Sequence, residues 1–261
     1  MPFQDAGALR YLTFDSFIRH GLTHAVFTRR GGVSQGPYAE LNVGATVGDE
    51  GENVEENLVR AFTAVGRPRN SIFDSWLVHG SNVLVAQAPR PAEWERPPQA
   101  DIIVTNKPQV TLFMRYADCV PILLFDPVNE AIGLAHAGWR GTVQKVAAKA
   151  VEAMQQNYGS RPPDLSAAIG PSISARNYKI GEDVAAPAQE AFGAQAGFLL
   201  SRNNGSIHFD LPAANKLILE ESGVTQISDA AICTFDRSDD WFSHRASGGR
   251  TGRFGALLAL N

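Results

Sequence analysis

The chain has 261 residues, 44% hydrophobic and 19% charged, a globular composition that excludes a disordered or low-complexity polypeptide. Lys and Arg number 23 against 27 Asp and Glu, a formal charge of −4 without any basic run, so the electrostatic footprint of a nucleic-acid binder is missing and a small molecule is the expected partner. Two cysteines, Cys119 and Cys233, are too few for a disulfide framework, leaving buried thiols or a thiol that does chemistry. No apolar stretch approaches the roughly 18 residues of a membrane span. The opening MPFQDAGALR lacks the apolar run and cleavage site of a secretion signal, which predicts a cytoplasmic protein.

Taken in chain order, the segment 24–28 reads as a strand, and 54–65 as a helix opened by Glu50, Glu52, Glu55 and Glu56, where the helix dipole favours negative charge. Short apolar runs at 76–78, 83–86, 102–105, 110–114, 122–125 and 131–135 read as strands. Between them, 89–98 holds four of the fifteen prolines, so it is expected to be a surface loop. From Gly141 onward, Val143, Val146, Ala147, Ala150, Val151 and Met154 form one helical stripe, with Thr142 as a cap and Gly159 as a stop. A third helix follows 208–210, with Pro212 in its first turn and Gly223 at its exit. Strand patterns continue on both sides of the proline loop, which predicts one domain over 1–261. The mixture predicts an α+β or α/β sandwich with helices covering sheet faces.

Three strand ends carry the chemistry. Cys119, in Ala117-Asp118-Cys119-Val120-Pro121, stands at the mouth of an apolar run. Seventeen residues later His136 ends another, followed by Gly138-Trp139-Arg140-Gly141-Thr142 at a helix start, where free N–H groups favour anions. His79, followed by Gly80, ends a third. One Cys and two His are the three protein ligands of a catalytic zinc site with a fourth position open. The same residues could serve as a Cys–His nucleophilic pair, and a lone cysteine is more often a small buried hydrophobe. Thr28-Arg29-Arg30-Gly31-Gly32 suits an anion clamp led by Arg29, with Asn42 in the segment 40–44 a further binding candidate. Arg140 and Thr142 complete the expected phosphate site. Asp118 could orient a ligand or pair with backbone, and the glycine-rich stretch with Arg250 and Arg253 reads equally as a surface loop.

FTRRGGVSQGPYAELNVG, VHGSNV, ADCVPILLFD, AHAGWRGT, IGPSI with Tyr178 and Gly181, and the closing CT, FSHR and TGR together resemble the YfiH family, also called the laccase-domain or multicopper polyphenol oxidase family. The resemblance spans nearly the whole chain and implies a layered α/β/β/α sandwich with zinc, or copper, on His79, Cys119 and His136. It departs at Arg115-Tyr116, where members carry smaller or uncharged residues, and at His244, where a Tyr is usual.

The resemblance further implies the expected function, a zinc-dependent purine nucleoside phosphorylase acting on adenosine, inosine and methylthioadenosine, with adenosine deaminase activity, as a monomer or homodimer taking nucleoside and phosphate. The rival readings are a copper polyphenol oxidase, a Cys-dependent hydrolase of cell-wall precursors with Cys119 as nucleophile and His136 as base, and a non-catalytic ligand sensor.

Overall fold

Alternation along the strands sets the layers. In the strand Ile102–Thr105, Ile102 and Val104 pack against helices while Ile103 faces a second sheet, the period of two that a strand buried on both faces must obey. Leu123 and Phe125 turn the same way as Ile103, and Ile122 and Leu124 join the helical side. The computed structural model describes residues 1–94, 96–203 and 205–261.

One sheet runs, in spatial order, Phe3–Ala6, Leu9–Leu12, Thr23–Phe27, Phe254–Ala259, Thr111–Tyr116 and Ile72–Asp74. The other runs Gln226–Asp229, Ser166–Ile169, Val120–Asp126, Ala131–Ala137, Ile102–Thr105 and Val83–Val85. Between them lies an apolar layer including Leu112, Met114, Ala256 and Leu258 from the first sheet and Ile103, Leu123, Ile132 and Leu134 from the second. Outside the first sheet, the helix Gly51–Ala64 buries Val54, Leu58, Ala61 and Phe62 with Phe27, Phe113 and Leu257. Outside the second lie Val146–Tyr158, Glu182–Phe192 and Leu211–Glu221. The architecture is thus an α/β/β/α sandwich, with a small sheet of Lys179–Ile180, Ser206–Phe209 and Leu200–Asn203 beside it. Among the described residues, no helix is long and apolar enough to cross a membrane.

Three local expectations change. The segment 76–78 is not a strand beyond a single bridge from Trp76 to Gln99; the strand lies earlier, at Ile72–Asp74. The reason is that the N–H groups of Val78, His79 and Gly80 all point at the Asp101 carboxylate, so they cannot enter a ladder. The helix expected from Gly141 is two helices, Trp139–Val143 and Val146–Tyr158, separated at Lys145 in a left-handed conformation with φ 60°. Thr142 is therefore no cap: it lies buried within the first helix, and its hydroxyl accepts from Asn215 Nδ2 at 2.9 Å. The third helix follows 208–210 as expected, running Leu211–Glu221 with Pro212 in its first turn, and Asp210 caps it, the carboxylate accepting from Ala213 N.

Candidate active site

The ends of Val120–Asp126 and Ala131–Ala137 are paired, with Val120 opposite Ala137 and Pro121 opposite His136, so the residue just before the first strand meets the end of the second. That register brings Cys119 to His136. His79 arrives from the loop after Trp76, and the ligand atoms of His79, Cys119 and His136 all lie within 4.8 Å of one another. No other group of three or more His, Cys, Asp or Glu among the described residues could hold a metal ion. Gly138 makes this convergence possible: a Cβ there would stand 2.8 Å from His79 Cδ2 and 3.1 Å from Cys119 Sγ.

Asp101 holds the arrangement from behind. Fully buried, it accepts from His136 Nδ1 at 2.8 Å, from Gly80 N at 2.8 Å, from His79 N at 3.0 Å and from Val78 N at 3.2 Å. Binding of Nδ1 to the carboxylate turns the other ring nitrogen of His136 toward Cys119 and leaves it as the lone-pair donor, the outer-shell pattern of metal-ligating histidines. Burial pushes the Asp101 carboxyl up, but the hydrogen bond and charge of His136 and the N–H groups of Gly80 and Val78 outweigh it and hold the pKa below the ordinary value. Sequence reasoning missed Asp101; its only signal is an acid at the head of an apolar run.

In the metal-free protein, burial raises the Cys119 thiol, while the charge of His136 and hydrogen bonds from His136 and His79 more than reverse this and bring it to about 6. Burial lowers His136, and the Cys119 thiolate and Asp101 raise it to about 9. A thiolate facing an imidazolium therefore persists between those values. Alkylation of metal-stripped Cys233→Ser protein by iodoacetamide is expected to rise with a midpoint near pH 6; a midpoint at the ordinary thiol value of about 8.5 would contradict this geometry.

The trio opens on a cavity of about 950 Å³. Beside the trio it is walled by Trp139, Ile173, Tyr178 and Leu211, with Arg245 and Arg253 from the carboxyl-terminal segment and Arg69, Arg90, Arg96 and Arg115 elsewhere. Six arginines face three carboxylates, Glu55, Asp74 and Asp118, so the cavity is cationic in a chain whose net charge is negative. Burial pushes the Tyr178 phenol well up, reinforced by Cys119, so it remains a hydrogen-bond donor.

Several expected binding residues lie elsewhere. The Arg29 guanidinium donates to the carbonyls of Ala39 at 2.6 Å and Ser238 at 2.9 Å and lies over the Phe242 ring; it lines a separate shallow depression with Arg30. Arg140 is exposed against the Trp139 ring and does not line the cavity, and Thr142 is buried against Asn215. Asn42 is fully buried and acts through its neighbours, its Oδ1 accepting from Gly44 N and Arg253 N. Arg253 thereby reaches the cavity, whereas Arg250 is exposed outside its wall. Asp118, at φ 85°, accepts from Thr234 Oγ1 and Arg245 N, each at 2.7 Å, tying the Cys119 turn to the carboxyl-terminal loop. Cys233 is half-buried, accepting from Ser174 N and Asn177 Nδ2; it supports the loop before Tyr178 and does not line the cavity.

Residues 23–261 match the family model described as multi-copper polyphenol oxidoreductase laccase. The chain belongs to this family. Its relatives include the purine nucleoside phosphorylase of Deinococcus radiodurans, 40% identical over 91% of this chain and 88% of that protein, and purine nucleoside phosphorylase YlmD of Bacillus subtilis, 35% identical over 89% and 86%. Among solved structures, the hypothetical protein YfiH of Bacillus licheniformis superposes with a TM-score of 0.92 at 28% identity, covering 100% of this chain and 99% of its own. YlmD of Geobacillus stearothermophilus gives 0.91 at 29% identity over 98% and 97%.

Proposed function

We propose that this family member is a zinc-dependent purine nucleoside phosphorylase acting on adenosine, inosine and methylthioadenosine, with adenosine deamination as a second activity of the same site. The observation that carries the reading is the convergence of His79, Cys119 and His136 at one end of a cationic cavity. Two imidazoles and a thiolate, one imidazole backed by a carboxylate, suit zinc with a fourth position left open. A zinc ion there would supply Lewis acidity and lower the pKa of water at the open position, the chemistry that attack on purine C6 requires.

The chain's own groups account for the remaining steps. Trp139, Ile173 and Leu211 offer the apolar walls against which a purine packs, and the Tyr178 hydroxyl is held protonated to donate to it. Arg253, its backbone N–H fixed on Asn42, gives Nη1 to the Thr251 and Gly252 carbonyls and keeps its other guanidinium nitrogens without a protein acceptor among the described residues; close enough to Cys119 and Asp118 to feel both charges, these are the groups to hold orthophosphate against the ribose C1′, where it attacks as the base leaves. One three-residue metal group among the described residues, in a chain with six histidines, disfavours a multi-copper oxidase, because a blue-copper centre alone uses two His and one Cys.

The reading is tested by incubating purified metal-loaded protein with adenosine, with and without orthophosphate, and resolving products. Adenine and ribose 1-phosphate formed only with phosphate are expected. Inosine as the sole product in both mixtures would reduce the activity to deamination.

A further inference from the structure

The wall that the first sheet contributes to the cavity carries a feature the phosphorylase reaction leaves unused. Asp74, 2% exposed, lies with Oδ2 at 2.8 Å from Arg115 Nη1 and Oδ1 at 2.9 Å from Arg90 Nη1. Arg115 Nε also donates to the Val43 carbonyl at 2.7 Å. Among the described residues, the other nitrogens of both guanidiniums find no protein acceptor, and the two side chains keep 21% and 24% of their surface exposed in the cavity wall. The carboxylate thus hydrogen-bonds Arg115 and meets Arg90 as an ion pair without a hydrogen bond, leaving the pair of arginines with a net positive charge. This is a cationic fork of the kind that binds phosphate oxygens, with its Arg115 arm held by two hydrogen bonds before any ligand arrives.

No hydrogen bond or ion pair among the described residues joins this fork to His79, Cys119 or His136. The fork belongs to strands of the first sheet and the proline loop, the trio to strand ends of the second and the loop that Asp101 gathers. One cavity therefore offers two separate places that recognise charge, and its volume stands at the upper end for small-molecule sites. In a nucleoside whose C1′ reacts at the first place, the 5′ carbon projects away from the breaking bond and is the sugar position from which a substituent reaches furthest.

We propose that Arg90 and Arg115, clamped by Asp74, form a subsite for a phosphate carried by the substrate itself, so that purine nucleoside 5′-monophosphates are substrates alongside free nucleosides. The proposal rests on the phosphorylase reading. The reaction balances as it does for a nucleoside: an orthophosphate oxygen bonds to C1′, the C1′–N9 bond breaks, and the purine leaves with the bonding pair and takes up a proton. The sugar product is ribose 1,5-bisphosphate.

Adenosine and adenosine 5′-monophosphate, each with orthophosphate, are compared for wild type, Arg115→Gln and, as a loop variant that leaves the strand intact, Arg90→Gln. Wild type is expected to cleave both compounds, and each variant to lower the ratio of kcat/KM for the monophosphate over adenosine by roughly 10- to 100-fold. Cleavage of adenosine but not of the monophosphate by wild type overturns the subsite and leaves the phosphorylase intact. A rise in the KM for orthophosphate with adenosine as substrate, at an unchanged ratio, overturns it too, by making the fork the orthophosphate site. If neither compound is cleaved, the phosphorylase reading fails, and calorimetric titration decides the subsite. Tighter binding of the monophosphate than of adenosine by wild type but not by Arg115→Gln sustains it, and equal binding removes it.

Discussion

Replacing Asp101 by Ala is expected to lower zinc affinity by about 10- to 100-fold, the usual effect of removing the group behind a ligating histidine. The size follows from how much one carboxylate does. It fixes the His136 ring through Nδ1 and gathers three successive N–H groups of the loop that presents His79, so its loss releases two of the three donors at once. Leaving the buried imidazole N–H without an acceptor costs about 1–3 kcal/mol on its own, and for a chain this long each kcal/mol lowers the thermal midpoint by roughly 2–4 °C. Asp101→Asn keeps the shape but offers one accepting oxygen where the carboxylate has two, and should fall between. Because the Asp101 pKa is lowered in the fold, its contribution is present above the ordinary carboxylate range and is lost only as pH falls through the lowered value. Competitive titration of zinc against a chelator, with melting curves of the metal-free proteins, measures both effects. Wild-type affinity in Asp101→Ala would show that the carboxylate does not position the donors.

Gly138→Ala is expected to have a comparable effect on metal binding with little on the fold. The backbone at Gly138, φ −77° and ψ 175°, is one that alanine adopts freely, so no conformational penalty arises. The added methyl instead meets His79 Cδ2 at 2.8 Å and Cys119 Sγ at 3.1 Å, and one of the two must move away from the shared position. A loss of about tenfold or more in zinc affinity with an almost unchanged melting temperature is the expected signature. A larger side chain such as Val should abolish binding. Retained affinity in Gly138→Val would mean that the two donors do not meet at this glycine.

The trio is legible because each member stands at one end of an apolar run within two residues of a glycine or a proline, a pattern that survives without knowledge of the pairing. Its supporting groups are not. Asp101 looks like any acid before a strand until the loop 78–80 is folded over it. Arg29 and Arg140 looked like anion ligands because they stand beside glycines, yet the first is used up by carbonyls and the second by an aromatic ring at the surface. Of the arginines that do line the cavity, Arg253 stands in the glycine-rich carboxyl-terminal stretch that reads equally as loop or site, whereas those of the proline loop and the end of a strand have no local signature. In the fold, strands rich in β-branched residues were readable, but Phe254–Ala259 was not. Its run of Ala and Leu has no β-branched member and favours helix by intrinsic propensity; it is a central strand because Thr23–Phe27 and Thr111–Tyr116 pair with its two edges. The interruption at Lys145 was hidden for a related reason, since the apolar stripe keeps its helical period across the break.

The account is tested most directly by the products formed from adenosine and orthophosphate by zinc-loaded wild-type protein and by Cys119→Ala, with zinc bound per chain measured on the same samples. It predicts about one zinc ion per wild-type chain and release of adenine with ribose 1-phosphate, with both zinc and products lost in Cys119→Ala. Undiminished phosphorolysis by zinc-free Cys119→Ala would contradict it.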